Sequence, residues 1–168
     1  MNHSAAPTIP VAVRPASEAD LDRLAVVWHQ AWHEGHDGLV PDELSRVRTL
    51  ASFRERLPHM LPTVRVVGPE GHPVALCQVK EDELHQLFVA GTARGGTVAM
   101  ALTLDAEQEI RRRGFQRAWL ACAIGNERAA RFYEKAGWHR TGVVINHAIT
   151  PTGQLPLEVW CYEKVLTR

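Results

Sequence analysis

Long apolar runs, paired cysteines and any surplus of charge are what this 168-residue sequence lacks. No stretch approaches the roughly 20 consecutive apolar residues of a membrane-spanning helix, so a membrane is not an expected partner. The opening MNHSAAPTIP has neither the basic nor the apolar segment of a secretion signal. Residues 1–10 therefore read as a flexible tail ahead of a single domain over 11–168. Cysteine is scarce: Cys77, Cys122 and Cys161 are scattered, odd in number and without a CxxC pair. That excludes a disulfide framework and fits buried thiols in a cytoplasmic protein. Nineteen basic residues balance nineteen acidic ones, so no overall field recommends nucleic acid.

What is present is a core-forming composition, 45% hydrophobic, patterned with two different periods. Val11 to Arg14 reads as a strand, and Ser17 with Asp20 three residues on reads as a capping box. Leu21, Leu24, Ala25, Trp28, Ala31 and Trp32 then recur at helical spacing, and Gly35 ends that helix. A second helix is expected from Asp42 to about Leu57, closed by Pro58 and Pro62. From Val64 the period becomes two. VRVVGPEGHPVALCQVK reads as an antiparallel hairpin about Gly68 to Gly71, and Glu83 to Val89 as a third strand. A long helix from Thr97 to Arg113 follows, its three terminal arginines and Gly114 suiting the negative end and the C-cap. RAWLACAI is a strand, Asn126 opens a short helix ending near Gly137, and Trp138–Ile145 and LPLEVWCYEKVL supply two last strands. The expected fold is α/β, a mixed, mostly antiparallel sheet flanked by helices in the order β-α-α-β-β-β-α-β-α-β-β.

Two junctions carry chemical information. The strand ending at Val89 breaks into Gly91, Arg94, Gly95 and Gly96, and the helix beyond has no acidic residue in its first turn. Free N–H groups and a positive dipole end suit an anion, usually phosphate. A dinucleotide-binding domain fits poorly, because an antiparallel hairpin precedes the glycines and the GxGxxG order is absent. The second junction is AIGNERAARFYEKAGW, where Asn126 starts a helix with Ala129, Phe132, Tyr133 and Ala136 on one side. Read alone, those aromatics are core residues as readily as catalytic ones.

Taken together, Val89 to Ala99 and Asn126 to Trp138 resemble the two motifs of the GCN5-related N-acetyltransferases, the GNAT superfamily. The likeness runs from Val11 to Leu166. The second motif matches closely. In the first, Gly91 stands where proline is frequent, and Thr97 stands where the family has the glycine that lets phosphate approach. The resemblance implies acetyl-CoA as co-substrate, no metal, and a small-molecule primary amine as acceptor, with a homodimer common among relatives. It implies that the main chain at Phe88 and Val89 pairs with the pantetheine arm and that Arg94, Gly95, Gly96, Thr97, Val98 and Ala99 wrap the pyrophosphate. Asn126, Ala129 and Phe132 complete the cofactor site.

Tyr133 matches the family's general acid. A phenol of pKa ~10 donating to a thiolate of conjugate-acid pKa ~8.5 works mainly by positioning. Glu83, with His85 two residues on, matches the family's catalytic base, though KEDE could equally be a charged turn. The acceptor region implied includes Trp28, Trp32, His33 and His36. The apolar stripe gives both tryptophans a packing role instead, and the His29, His33, His36 spacing lacks a fourth metal ligand. A non-catalytic acyl-CoA-binding module of the same fold is the alternative that Thr97 raises, and acetylation of a protein N-terminus or lysine is the other.

Overall fold

A computed structural model describes residues 11–167. The tail expected over residues 1–10 lies outside the described residues. Twelve elements follow in the expected order, with one helix split. They are β1 (Val13–Pro15), α1 (Leu21–His36), α2 (Asp42–Val47), α3 (Leu50–Met60), β2 (Val64–Val67), β3 (Ala75–Lys80), β4 (Glu83–Val89), α4 (Val98–Arg112), β5 (Arg117–Ala123), α5 (Glu127–Lys135), β6 (His139–Thr150) and β7 (Gly153–Val165). The seven strands form one sheet in the order β1-β2-β3-β4-β5-β7-β6, antiparallel at every junction except β4–β5.

The predicted second helix is in fact two. Arg48 leaves helical geometry (φ −83°, ψ 64°), and the Thr49 side chain accepts the Ser52 N–H at 3.1 Å, so a new helix is capped where one was expected to continue. Pro58 lies inside α3, two residues from its end, instead of closing it. Gly35 likewise sits within α1, which runs one residue further to His36. Asp20 does return to the Ser17 N–H (2.8 Å), as the capping box requires, but its main role is larger. It is fully buried, takes a bidentate Arg14 (2.8 and 2.9 Å) and accepts the Gly71 N–H (2.9 Å), tying β1 to the β2–β3 turn.

Period-two alternation divides the core between the two faces of the sheet. Val64, Val66 and Leu76 meet Leu24, Trp28, Phe53 and Leu57 of α1 and α3. Val67, Ala75, Cys77 and Leu120 meet Leu102, Ala106 and Ile110 of α4 on the other side. All three cysteines are buried free thiols, and burial pushes Cys77 up to about 12 and Cys122 up to about 11.

One irregularity in β4 positions everything that follows. Gln78 faces Gln86 and Val79 faces Leu84, which leaves His85 as an extra residue without a partner on β3. A bulge moves later side chains to the opposite face. Leu84 and, past the bulge, Leu87 and Val89 thus pack on the α4 side, whereas Phe88 packs with α1 and α3.

Candidate active site

The parallel strands β4 and β5 pair at a single position, Glu83 with Trp119, and then diverge. The Ala90 N–H bonds to the Val74 carbonyl at 2.8 Å, on the β3 side. Backbone groups of alternate residues point to opposite edges, so Leu87 and Val89 turn their N–H and C=O toward β5, where the strand has left a gap. The main chain of Phe88, expected to face the gap, is used against β3 instead; its ring is what reaches the cleft. Leu87 was not foreseen, because Leu87, Phe88 and Val89 are all apolar and the sequence does not show in which register the strand resumes after His85.

A cavity of about 320 Å³ occupies this wedge, lined by Phe88, Val89, Arg94, Gly95, Asn126 and Tyr133 among others. Gly96, Ala99, Ala129, Phe132 and His36 also line it, whereas Thr97 and Val98 do not. At its open end Gly95 adopts φ +80°, which glycine takes without strain, and nothing lies within 4 Å of a Cβ added at Gly95 or Gly96. The first bond of α4 is from the Ala101 N–H to the Thr97 carbonyl (2.9 Å). The N–H groups of Val98, Ala99 and Met100 are thus ahead of the helical ladder, with no acidic side chain in that turn. Thr97 makes no side-chain cap, is exposed and does not line the cavity. Arg94 is paired with Glu34 of α1 across the cleft's mouth.

At the other wall, Asn126 caps α5 by accepting the Ala129 N–H (3.3 Å) through its side-chain oxygen, which leaves its Nδ2 to donate elsewhere. A Cβ at Gly35 would come within 3.0 Å of that Nδ2, so the glycine inside α1 is what allows α1 and α5 to meet there. Among the described residues the Tyr133 hydroxyl bonds to no protein acceptor, and burial raises its pKa above the ordinary phenol value, with the Cys122 thiol adding to it. It is held as a protonated donor facing the cleft.

The remaining candidates divide. Glu83 and His85 are joined to each other (Oε1 to Nδ1, 3.0 Å) at the narrow end of the wedge and do not line the cavity. His36 does line it. Its Nδ1–H donates to the Trp32 carbonyl (2.7 Å), its ring stacks on Trp32 at 4.4 Å, and burial lowers its pKa, so Nε2 is a neutral acceptor. His33 instead braces the chain after α1, bonding to Asp37 (2.8 Å) and to the Arg48 carbonyl (2.6 Å). Trp28 (1% exposed) and Trp32 (7%) are core residues and do not line the cleft, which corrects their expected place at the acceptor. The apolar stripe of α1 faces α3 and the sheet, and burying an indole there outweighs exposing it. Among the described residues no three His, Cys, Asp or Glu side chains are grouped to hold a metal ion.

A family model described as the acetyltransferase (GNAT) family matches residues 26–138. No curated protein matches. Among solved structures, a GCN5-related N-acetyltransferase from Rhodopseudomonas palustris superposes with a TM-score of 0.72 at 20% identity, covering 97% of this chain and 100% of that one. Aminoglycoside 6'-acetyltransferase type Ii gives 0.65 at 19% identity, covering 94% and 98%. The PaiA N-acetyltransferase of Thermoplasma acidophilum, solved in complex with coenzyme A, gives 0.61 at 16%, covering 94% and 99%.

Proposed function

The chain belongs to the GNAT acetyltransferases, acyl-CoA-dependent N-acyltransferases, and from that premise we propose that it moves an acetyl group from acetyl-CoA to a primary amine of a small molecule by direct attack in a ternary complex. The observation that carries the reading is the wedge between β4 and β5, whose walls bring unpaired main-chain groups, the Asn126 amide and the Tyr133 hydroxyl to one cleft. Its dimensions and polar groups fit an extended acyl-pantetheine arm with a diphosphate at the glycine end.

In this reading Gly95, Gly96 and the first turn of α4 hold the diphosphate. Leu87 and Val89 extend the sheet through the pantetheine amides, with Asn126 Nδ2 donating from the opposite wall. The Val89 N–H lies where it stabilises the oxyanion formed at the thioester carbon. As the amine attacks, a C–N bond forms and the C–S bond breaks; Tyr133 gives its proton to the departing thiolate. Glu83, backed by His85, takes the amine proton through water along the wedge.

A small acceptor is favoured by the way the β6–β7 hairpin is tied down. Arg48 Nη1 donates to the Ile149 carbonyl at 2.8 Å, and Ala148, Leu155 and Leu157 pack on the α1–α3 cluster. A hairpin pinned across these helices leaves little room for a polypeptide to lie through the groove. Calorimetry with coenzyme A, followed by thiol release from acetyl-CoA over a panel of amines, tests the proposal. Binding without release for any amine favours the non-catalytic module, and absence of binding removes both readings.

A further inference from the structure

Among the described residues, the arginines shielded from solvent follow a pattern with two exceptions. Arg14, Arg54, Arg65 and Arg94 each have a carboxylate within 4.0 Å. Arg48, 9% exposed and the one buried arginine among the described residues, has none. Its guanidinium donates to the neutral Ile149 carbonyl and lies 6.0 Å from the Trp32 ring. Arg56 is the second exception. Its guanidinium carbon is 4.5 Å from the Trp28 ring and 4.8 Å from Phe53, its Nε makes one long bond to the Ser52 carbonyl (3.4 Å), and its Nη2 is buried with no partner. Aromatic faces attract a cation, but they do not neutralise it.

Two buried, uncompensated like charges are costly, and buried charges are ordinarily paired. Burial, then repulsion from Arg48, brings Arg56 down to about 10, which still leaves it charged at neutral pH. Two aromatic rings lie between each of them and the cleft. Trp28, beneath Arg56, is 6.5 Å from the Phe88 ring, and Trp32, beside Arg48, is stacked on His36. Phe88 and His36 line the cavity. Arg48 is also the residue that pins the hairpin, so an anion arriving there would meet the groove's wall as well as its charge.

The geometry points to an oxyanion subsite at Arg48 and Arg56, so that the acceptor is an amine carrying a carboxylate or phosphate a short spacer away from the reacting nitrogen. This rests on the acetyltransferase reading of the same cleft. Planar guanidinium groups match such oxyanions bidentately, and the acid would supply the missing counter-charge. The amine then projects past His36 and Phe88 toward the thioester end.

Thiol release would be compared for matched amines, 4-aminobutyrate against butylamine and phosphoethanolamine against ethanolamine. The expected preference for the acid-bearing member is about 10- to 100-fold in kcat/KM, collapsing toward unity in Arg48→Gln and Arg56→Gln. The stronger pair distinguishes carboxylate from phosphate. A second arm needs no turnover: with the diphosphate site saturated by coenzyme A, inorganic phosphate should raise the Tm of the wild type and not that of Arg48→Gln/Arg56→Gln. Equal use of acidic and neutral amines, or, where no amine reacts, an equal phosphate effect in both proteins, overturns the subsite. Failure of every amine while phosphate still discriminates would instead strike the catalytic reading and leave the anion site standing.

Discussion

Replacing Tyr133 by phenylalanine separates chemistry from stability, because the structure assigns the hydroxyl no structural bond. The ring packs against Phe132 (centroids 5.5 Å), Trp138 (6.4 Å) and Tyr162 (5.9 Å), all of which phenylalanine retains. Removing a hydroxyl that opens on the cleft and has no protein partner costs no protein hydrogen bond, so stability should stay within about 1 kcal/mol of the wild type. Turnover should move the other way. A positioned general acid contributes about 10²- to 10⁴-fold, which is roughly 3–5.5 kcal/mol of barrier at 1.36 kcal/mol per decade. Coenzyme A affinity should stay within about threefold, since the phenol meets the thiolate only as it forms. The assays are thermal unfolding, calorimetry with coenzyme A and thiol release. Because burial raises the phenol's pKa above ~10, the wild-type rate should also show no descending limb from this group below about pH 10. A folded Tyr133→Phe protein with wild-type kcat would refute the assignment.

Four other substitutions test the architecture. Asp20→Asn should cost about 3 kcal/mol, since it breaks a buried pair whose partner Arg14 is 28% exposed and can recover some solvation. The Arg14 bond, with the Ser17 and Gly71 N–H groups, holds the Asp20 carboxyl far below the usual range. Its contribution is therefore complete above the unfolded pKa near ~3.9 and is lost as pH falls toward the folded value, so the gap between wild type and Asp20→Asn should narrow in unfolding curves below about pH 4. Gly35→Ala gains up to about 1 kcal/mol of helix propensity yet presses a methyl on Asn126 Nδ2 at 3.0 Å; calorimetry should record weaker coenzyme A binding without a lower Tm. Thr97→Gly should alter that affinity less than about threefold, because Gly95 and Gly96 already form the cradle, whereas Gly95→Ala at φ +80° should weaken it by costing about 1 kcal/mol of backbone strain. A large gain from Thr97→Gly would mean that its side chain does obstruct the diphosphate.

What was legible in the sequence was whatever depends on local pattern. The order of elements, the α1 stripe of Leu24, Trp28 and Trp32, and the Asn126 cap followed by Tyr133 all follow from spacing along the chain, and the structure has them there. The split at Thr49 leaves a readable signal, a threonine three residues before Ser52, but no glycine or proline marks a break between Asp42 and Leu57. Gly35 shows a different limit. A glycine near a helix end reads as a stop by default, and only the approach of Asn126 from 91 residues away gives it another reason to be glycine.

The bulge at His85 and the bareness of Arg48 and Arg56 are of a third kind, since neither is a property of a segment. A strand's period says which residues alternate, yet one unpaired residue reverses the assignment for all that follow, which is why Leu87 replaced Phe88 at the open edge. Charge balance hides the same kind of fact. A chain with equal numbers of acids and bases is neutral as a whole, and still leaves two guanidinium groups unpaired where β6, α1 and α3 converge. Neutrality therefore speaks against a charged macromolecular partner at long range, and it is silent about a charged small molecule at contact. That distinction allows a balanced protein to select an acidic amine.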